Sequence, residues 1–411
     1  MYDSLVKVYY ADESRHEEVY QERYNAPSSV HFRIEIRQFN HDKEYPAFFC
    51  YSQDMLLSLE RIYSYFIEFL KILQQVTPVV QQQFMLSCIV NEVQSTSDIE
   101  GIHSTHRELR DVLDGEAKKS HFSSIVKMYD LLSSGDNRKF ETCEDIREFY
   151  DEFNYMDAIT ENPSNRLDGV IFRKEAVDVK SPSGKTIHRG VEPESKIIET
   201  MTEALKFLNS DEYPVLLRIA VFHYLFVYIH PFYDGNGRTA RFISSSQIAQ
   251  YLHRLVALML SLTIKKNKAK YYRILKETDS EHNCGDITPF ICEFLKFIEE
   301  AMVDLNRRLR HKTNQLKRMK ARLFKVLPKD EDIQAMVWII LQSIVFYGRG
   351  ASMTDIMTAT NRTRNTVKSK LSGLPVKIIT RHRVKYYKLN FSELRRLSKS
   401  GVRPLALAMG I

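Results

Sequence analysis

The sequence predicts a mainly α protein that ends in a small mixed α+β unit. Three observations carry this. From Gln53 to Leu73, and again from Pro78 to about Leu305, apolar residues recur at helical spacing. The second run is interrupted once, by GVIFRKEAVDVKSPSGKTIHRGVEP, where Val177 and Val179 alternate with polar residues before SPSG turns the chain. After Pro328 two short helical patterns and a longer one precede a pair of strand-like runs.

At 411 residues the chain is too long for a single compact core. The expected parts are an N-terminal region (1–77), a helical body (78–302), a basic connecting helix (303–327), a small C-terminal domain (328–395) and a tail (396–411). Residues up to about 80 mix extended stretches such as VHFRIEIRQF with the first helical run and suggest no function. The composition, 44% hydrophobic and 27% charged, is that of a soluble globular protein. No apolar run reaches the roughly 18 residues of a membrane span, and the first residues, MYDSLVKVYYADESRHEE, lack the apolar core of a signal peptide. Five scattered cysteines suit a reducing cytoplasm without a disulfide framework. His282 and Cys284 in EHNC have zinc-like chemistry but no second pair at zinc spacing.

The net charge of +7 is concentrated. Val303 to Leu327 carries nine Lys or Arg against one Asp. In that region Met302, Leu305, Leu309, Leu316, Met319, Leu323 and Val326 follow a heptad, broken once by Lys312. The pattern reads first as a solvated helix packed on its neighbours, and second as a seam for self-association into a homodimer. Beyond it, EDIQAMVWIILQSIVFYG is an apolar helix stopped near Gly348. SMTDIMTATN is a helix with a Ser352–Asp355 capping box, and RNTVKSKLSGL opens at an N-cap, Thr363. VKIIT, the basic tip RHR and VKYYKL complete a winged-helix pattern. Arg364, Lys368 and Lys370, with Arg381 and Arg383 at the wing, are placed to meet the phosphates of DNA, although such domains also serve protein contacts.

The densest chemistry is HPFYDGNGRTAR, His230 to Arg241. The preceding PVLLRIAVFHYLFVYI is apolar nearly all round, so it should be buried and hold His230 rigidly. Asp234-Gly235-Asn236-Gly237 is a tight loop whose backbone N–H groups form an anion nest at the start of the next helix. Arg238 and Arg241, three apart, share one face of its first turn. Two permanent cations and a nest suit a polyphosphate, and Asp234 is the hard oxygen ligand of a phosphate-bound Mg²⁺. Asn236 adds no negative charge. His230 can take a proton from an attacking hydroxyl. Alone, each residue has an ordinary structural role; together they point to phosphate chemistry.

This stretch resembles the Fic family signature, HPFx(D/E)GN(G/K)Rxx(R), at every fixed position, and the resemblance extends from about Thr96 to Glu300. It implies a Fic-type helical core that binds ATP with Mg²⁺ and transfers AMP to a Ser, Thr or Tyr hydroxyl of a protein, with the chain itself as one candidate target. By position, His230 is the general base and Asp234 holds Mg²⁺. Gly235, Asn236 and Gly237 bind the α- and β-phosphates, Arg238 grips the phosphate tail, and Arg241 meets the γ-phosphate. Gly237 sides with AMP transfer, because relatives that transfer phosphate carry Lys there.

Three more stretches are similar to the family. The hairpin from Val177 to Gly190 resembles a flap that pairs with the target by backbone bonds, with Ile187, His188 and Arg189 bordering ATP. In KYYRILKETD, Tyr271 resembles the adenine contact and Asp279 a base or ribose contact, while core packing is the alternative for Tyr271 and Tyr272. TSDIEG, Thr96 to Gly101, matches the inhibitory motif (S/T)xxxE(G/N). Glu100 ends a helix that begins near Pro78, Gly101 stops it, and a bidentate Glu100–Arg241 pair would deny the γ-phosphate its cation. The resemblance therefore implies an autoinhibited protein adenylyltransferase. Removal of AMP from modified proteins by the same site is the alternative within the family, and a DNA-binding regulator with an ATP-sensing body is the alternative outside it.

Overall fold

A computed structural model of the chain describes residues 2–113, 122–135, 138–180, 184–325, 327–381 and 384–393. Expectations for Val326, for Arg383 and for the 396–411 tail lie outside the described residues, as does the side chain of Arg381. Among the described residues helices dominate, with two two-stranded sheets and one three-stranded sheet. Among the described residues no helix is long and apolar enough to cross a membrane. All five cysteines are buried, and none is joined in a disulfide.

Contacts divide the chain into two compact units, 1–66 with 89–303, and 67–88 with 304–411. These bounds differ from the sequence expectation in two places. Residues 1–66 belong to the helical body, because the hairpin Ser29–Arg37/Glu44–Cys50 is stitched into it. Phe48 bonds the backbone of Gly285 and Ile287, and Arg37 donates its N–H to the Tyr228 hydroxyl. The basic segment is not a separate connecting helix either. One 36-residue helix, Thr288–Leu323, runs through it, since the change near 303 is one of charge and not of helix-forming pattern.

The first unit is built around two antiparallel helices, Glu194–Leu208 and Val215–Ile229, followed by Asn236–Tyr251. Val215–Ile229 is buried all round, as its sequence requires; only Val215, Arg218 and Val227 escape full burial. The interrupting stretch is a hairpin, Asp178–Lys180 paired antiparallel with Thr186–Arg189. Pro78–Ile99 ends as expected, at Gly101 with φ +85°, and the Ile102 N–H bonds the Ser97 carbonyl across the end. Lys268 caps the same end by donating to the Ile99 carbonyl at 2.7 Å.

In the second unit the helix Glu331–Tyr347 is followed by a short strand, Ala351–Ser352, two helices, Met353–Thr360 and Arg364–Leu371, and the hairpin Val376–Arg381/Val384–Leu389. The sheet order places Val384–Leu389 between the other two strands. Ser352 and Asp355 form the expected capping box, and Thr363 caps the third helix. Leu305, Leu309, Leu316, Met319 and Leu323 are all buried by the chain itself, which removes them as an exposed seam for self-association. Lys312 does not break that packing, because its ammonium bonds the carbonyls of Val345 and Phe346 at a helix end. Lys370 pairs with Asp330 and is not free for phosphate.

Candidate active site

His230 closes the buried helix Val215–Ile229 in a left-handed conformation, φ 54° and ψ 59°. For a residue with a Cβ this costs on the order of 1 kcal/mol or more and turns the chain sharply into Pro231. Its Nδ1 lies 3.2 Å from the Val227 carbonyl, which assigns the ring proton to Nδ1 and leaves Nε2 as a lone-pair acceptor. Burial, with His188 and Arg173 nearby, pulls its pKa down to about 3, so the ring is neutral at neutral pH.

The loop after it is shaped by Asn236. The Asn236 Oδ1 accepts from Phe232 N–H at 2.9 Å and its Nδ2 donates to Phe232 O at 2.7 Å. These two bonds hold the loop in shape and use one of the two Nδ2 protons, and Asn236 also lines the cavity described below. Gly235 has φ +80°, a conformation that suits glycine, and starts the helix Asn236–Tyr251. That helix's first backbone bond runs from Thr239 N–H to Gly235 O, so the N–H groups of Asn236, Gly237 and Arg238 lie in the turn that has no intrahelical acceptor. Arg238 is 4% exposed, yet its Nε is buried with no hydrogen-bond partner. Its Nη2 sits only 3.4 Å from Asp234 Oδ2. An orphaned guanidinium N–H beside a nest of backbone donors fits a phosphate group.

Asp234, partly exposed, offers a carboxylate beside that nest. Among the described residues no three His, Cys, Asp or Glu side chains could hold a metal by themselves. The donor set therefore fits Mg²⁺ only in the manner Mg²⁺ favours with nucleotides, one carboxylate plus phosphate oxygens and waters.

Arg241 is fully buried. Its Nε donates to Thr96 Oγ1 at 2.8 Å, and its Nη2 to Thr96 O at 3.3 Å and to Glu100 Oε1 at 2.5 Å. The pair with Glu100 is thus made through one nitrogen and not two; the second prong of the guanidinium belongs to Thr96. A Cβ on Gly237 would fall 2.4 Å from Glu100 Oε1 and 3.0 Å from Arg241 Nη1, so glycine there is what admits the pair. Asp98 pairs with Lys265 in the last turn of the Pro78–Ile99 helix, and buried Glu92 accepts the N–H groups of Ser261 and Leu262.

One cavity gathers most of the expected residues: Glu100, Ile187, His188, His230, Asn236, Gly237, Arg241, Tyr271 and Asp279 all line it. Thr96 lies behind Arg241, and Gly101 follows Glu100 at the helix end. Arg189 is not brought in. Its side chain crosses the hairpin to Asp178, 2.8 Å away, because its register partner there is an acid. Tyr271 forms part of the cavity wall, and its hydroxyl contacts His223 Nε2 at 2.9 Å. Ser244 donates its own proton to Ala240 O, so it accepts from His223 Nδ1 and leaves Nε2 to accept from Tyr271. His223 is therefore neutral; burial first, and then Arg241, lowers its pKa to about 3.

Asp279 is held by Tyr224, whose hydroxyl donates to Oδ1 at 2.8 Å, and faces His188 through Oδ2 at 3.3 Å. His188 Nε2 also meets the Tyr228 carbonyl at 2.7 Å. Both ring nitrogens face acceptors, which is the arrangement of an imidazolium. Burial acts to lower the His188 pKa, and the hydrogen bond and charge of Asp279 outweigh it, so the value is raised.

Sequence reasoning missed Tyr224, Val227, Tyr228 and Lys276 in the cavity wall, and Arg173 beneath it. The first three lie three and four residues apart on the helix that delivers His230, a spacing that marks one helix face. Nothing comparable points to Arg173.

Residues 98–248 match the Fic/DOC family. Over 103 residues the chain is 35% identical to the protein adenylyltransferase Fic of Drosophila erecta and to that of Drosophila melanogaster, a stretch covering 24% of this chain and 19% of each relative. Against the protein of the same name from Drosophila virilis the identity is 37% over 86 residues, covering 21% and 16%. The chain thus spans about a fifth of the length of the curated relatives it matches. A solved Fic family protein from Desulfovibrio desulfuricans G20 aligns with a TM-score of 0.52 at 18% identity, over 83% of this chain and 97% of that one, and shows a shared fold.

Proposed function

We propose that this chain, which carries a Fic domain, transfers AMP from ATP to a protein hydroxyl and is held inactive by Glu100. The observation that carries the reading is the cavity itself. It joins a neutral histidine, phosphate donors and a buried arginine whose outward nitrogen is occupied by a carboxylate.

ATP would lay its phosphates on the N–H groups of Asn236 to Arg238 and on the unpartnered Nε of Arg238. Mg²⁺, held by Asp234 and the phosphates, would neutralise charge on the leaving group. Tyr271 would border the base, fixed by its bond to His223. Nε2 of His230 takes the proton of the acceptor Ser, Thr or Tyr hydroxyl. The oxygen forms a bond to the α-phosphorus, the bond from that phosphorus to the bridging oxygen breaks, and pyrophosphate leaves with the bonding pair. A γ-phosphate that needs Arg241 meets Glu100 first, which raises the barrier to productive binding. Incubation with α-labelled ATP, comparing the parent chain with Glu100→Gly, tests this reading.

A second reading, a winged-helix DNA contact by the C-terminal unit, is favoured by one observation. Arg364 and Lys368 are exposed on the third helix and have no carboxylate partner among the described residues. A gel shift at low salt that disappears in the Arg364→Ala, Lys368→Ala double variant would support it; no shift at low salt would remove it.

A further inference from the structure

Arg173 is fully buried, and no carboxylate bonds it among the described residues. Its guanidinium instead gathers four backbone carbonyls. Nε donates to His230 O at 2.9 Å, Nη1 to Glu175 O at 2.7 Å, and Nη2 to Val191 O at 2.8 Å and Ile229 O at 3.4 Å. Glu175 and Val191 flank the hairpin, one on each side, and His230 carries the base. Burial lowers the guanidinium pKa only to about 10, so it remains a cation at neutral pH.

An independent observation comes from Gly190. A Cβ there would lie 2.3 Å from Arg173 Nη2, 2.9 Å from His230 Cβ and 3.1 Å from Ile229 O. The flap stem passes between the arginine and the histidine at a distance only glycine allows. Two backbone bonds follow the same seam, Val191 N–H to Ile229 O at 3.0 Å and Gly190 N–H to Val177 O at 3.0 Å. Nothing in a generic helical body calls for a cation here, and a buried arginine is otherwise expensive to desolvate.

We propose that Arg173 is the positioning residue that ties both stems of the flap to the backbone of His230, so that flap and base keep one geometry. In its kinetic part the proposal rests on the AMP-transfer reading. Such a tie matters because a misplacement of about 1 Å costs on the order of a hundredfold in rate. It also holds the carbonyl of a residue in a strained left-handed conformation.

The test uses Arg173→Met, Arg173→Lys and Gly190→Ala, each in the full chain carrying Glu100→Gly. Gly190→Ala leaves the arginine in place and wedges the seam apart. Amide hydrogen exchange, ATP affinity by calorimetry and the rate of AMP transfer at saturating ATP are measured for each. The expected result is faster exchange confined to Gly190, Val191, Ile229 and His230, an ATP dissociation constant within about threefold of the background, and a turnover rate lower by about a hundredfold. Lys, which can reach some of the four carbonyls, should recover part of that loss. Unchanged exchange at the seam overturns the proposal, as does general unfolding of the methionine and lysine variants alike, which would make Arg173 an ordinary core residue. If Glu100→Gly transfers no AMP at all, it is the functional reading that fails; exchange at the seam still decides the role of Arg173.

Discussion

Glu100 Oε1 stands 2.5 Å from Arg241 Nη2, at the lip of the cavity that also contains His230. Arg241 is fully buried, whereas the Glu100 side chain is 31% exposed. The cation is thus the fixed partner and the carboxylate the movable one. Moving Glu100 outward leaves Arg241 in place to meet an anion, and Thr96 is what keeps it there.

Thr96→Val therefore separates the two roles. Valine is close in shape but removes the acceptor of Arg241 Nε, leaving a buried donor unpaired at a cost of about 1–3 kcal/mol. Thermal unfolding should shift down accordingly. If the AMP-transfer reading holds, adding Thr96→Val to Glu100→Gly should lower transfer below Glu100→Gly alone, because the arginine that meets the anion is no longer held. An unchanged melting temperature would show that Thr96 does not hold the arginine.

His188 should make the flap pH-sensitive. Its pKa is raised in the fold above the ordinary value of about 6.5, burial opposing and Asp279 prevailing. A raised value means that the latch to Asp279 and Tyr228 is fully present below about pH 6.5 and weakens as pH rises through the folded value. ATP affinity measured by calorimetry is expected to fall over that rise. Asp279→Asn should lower affinity at pH 6 and flatten the dependence. A parent affinity constant from pH 6 to 9 would count against the latch.

His223 gives the opposite sign. Buried and neutral, with a folded pKa of about 3, it binds no proton in the native state between pH 6.5 and 3, while the unfolded chain does. Stability from this group is complete above pH 6.5 and is lost as pH falls through that window. His223→Gln, which keeps a polar bridge toward Ser244 and Tyr271 without a titrating ring, should reduce the acid-side slope of unfolding free energy by up to about 1.4 kcal/mol per pH unit near pH 4 to 5.5. Denaturant unfolding at several pH values measures it, and equal slopes would show that His223 titrates normally in the fold.

Much of the site was legible because its logic is local. HPFYDGNGRTAR fixes a helix end, a turn and a helix start within twelve residues, and TSDIEG sits at a helix end with its own glycine stop. The helix order of the C-terminal unit and its two caps were legible for the same reason. What escaped depends on distant partners. Arg173 reads in sequence as one more surface arginine, since its acceptors are carbonyls, which every residue has. Arg189 and Lys370 looked free until folding put Asp178 and Asp330 beside them. The part Asn236 plays in shaping its own loop, bonding Phe232 at both its N–H and its carbonyl, was not legible from its residue type. The heptad from Met302 promised an outer seam, yet periodicity states only that a face is covered, not by what.

The most direct test is incubation of the parent chain, Glu100→Gly, and Glu100→Gly with His230→Ala in α-labelled ATP and Mg²⁺. Label on protein should be weak with the parent, at least tenfold stronger with Glu100→Gly, and absent from the double variant. Label that is equal with and without Glu100, or that persists without His230, would contradict the account. So would a Glu100→Gly chain that binds ATP, labels no protein in a cell extract and instead releases AMP from an AMP-modified protein.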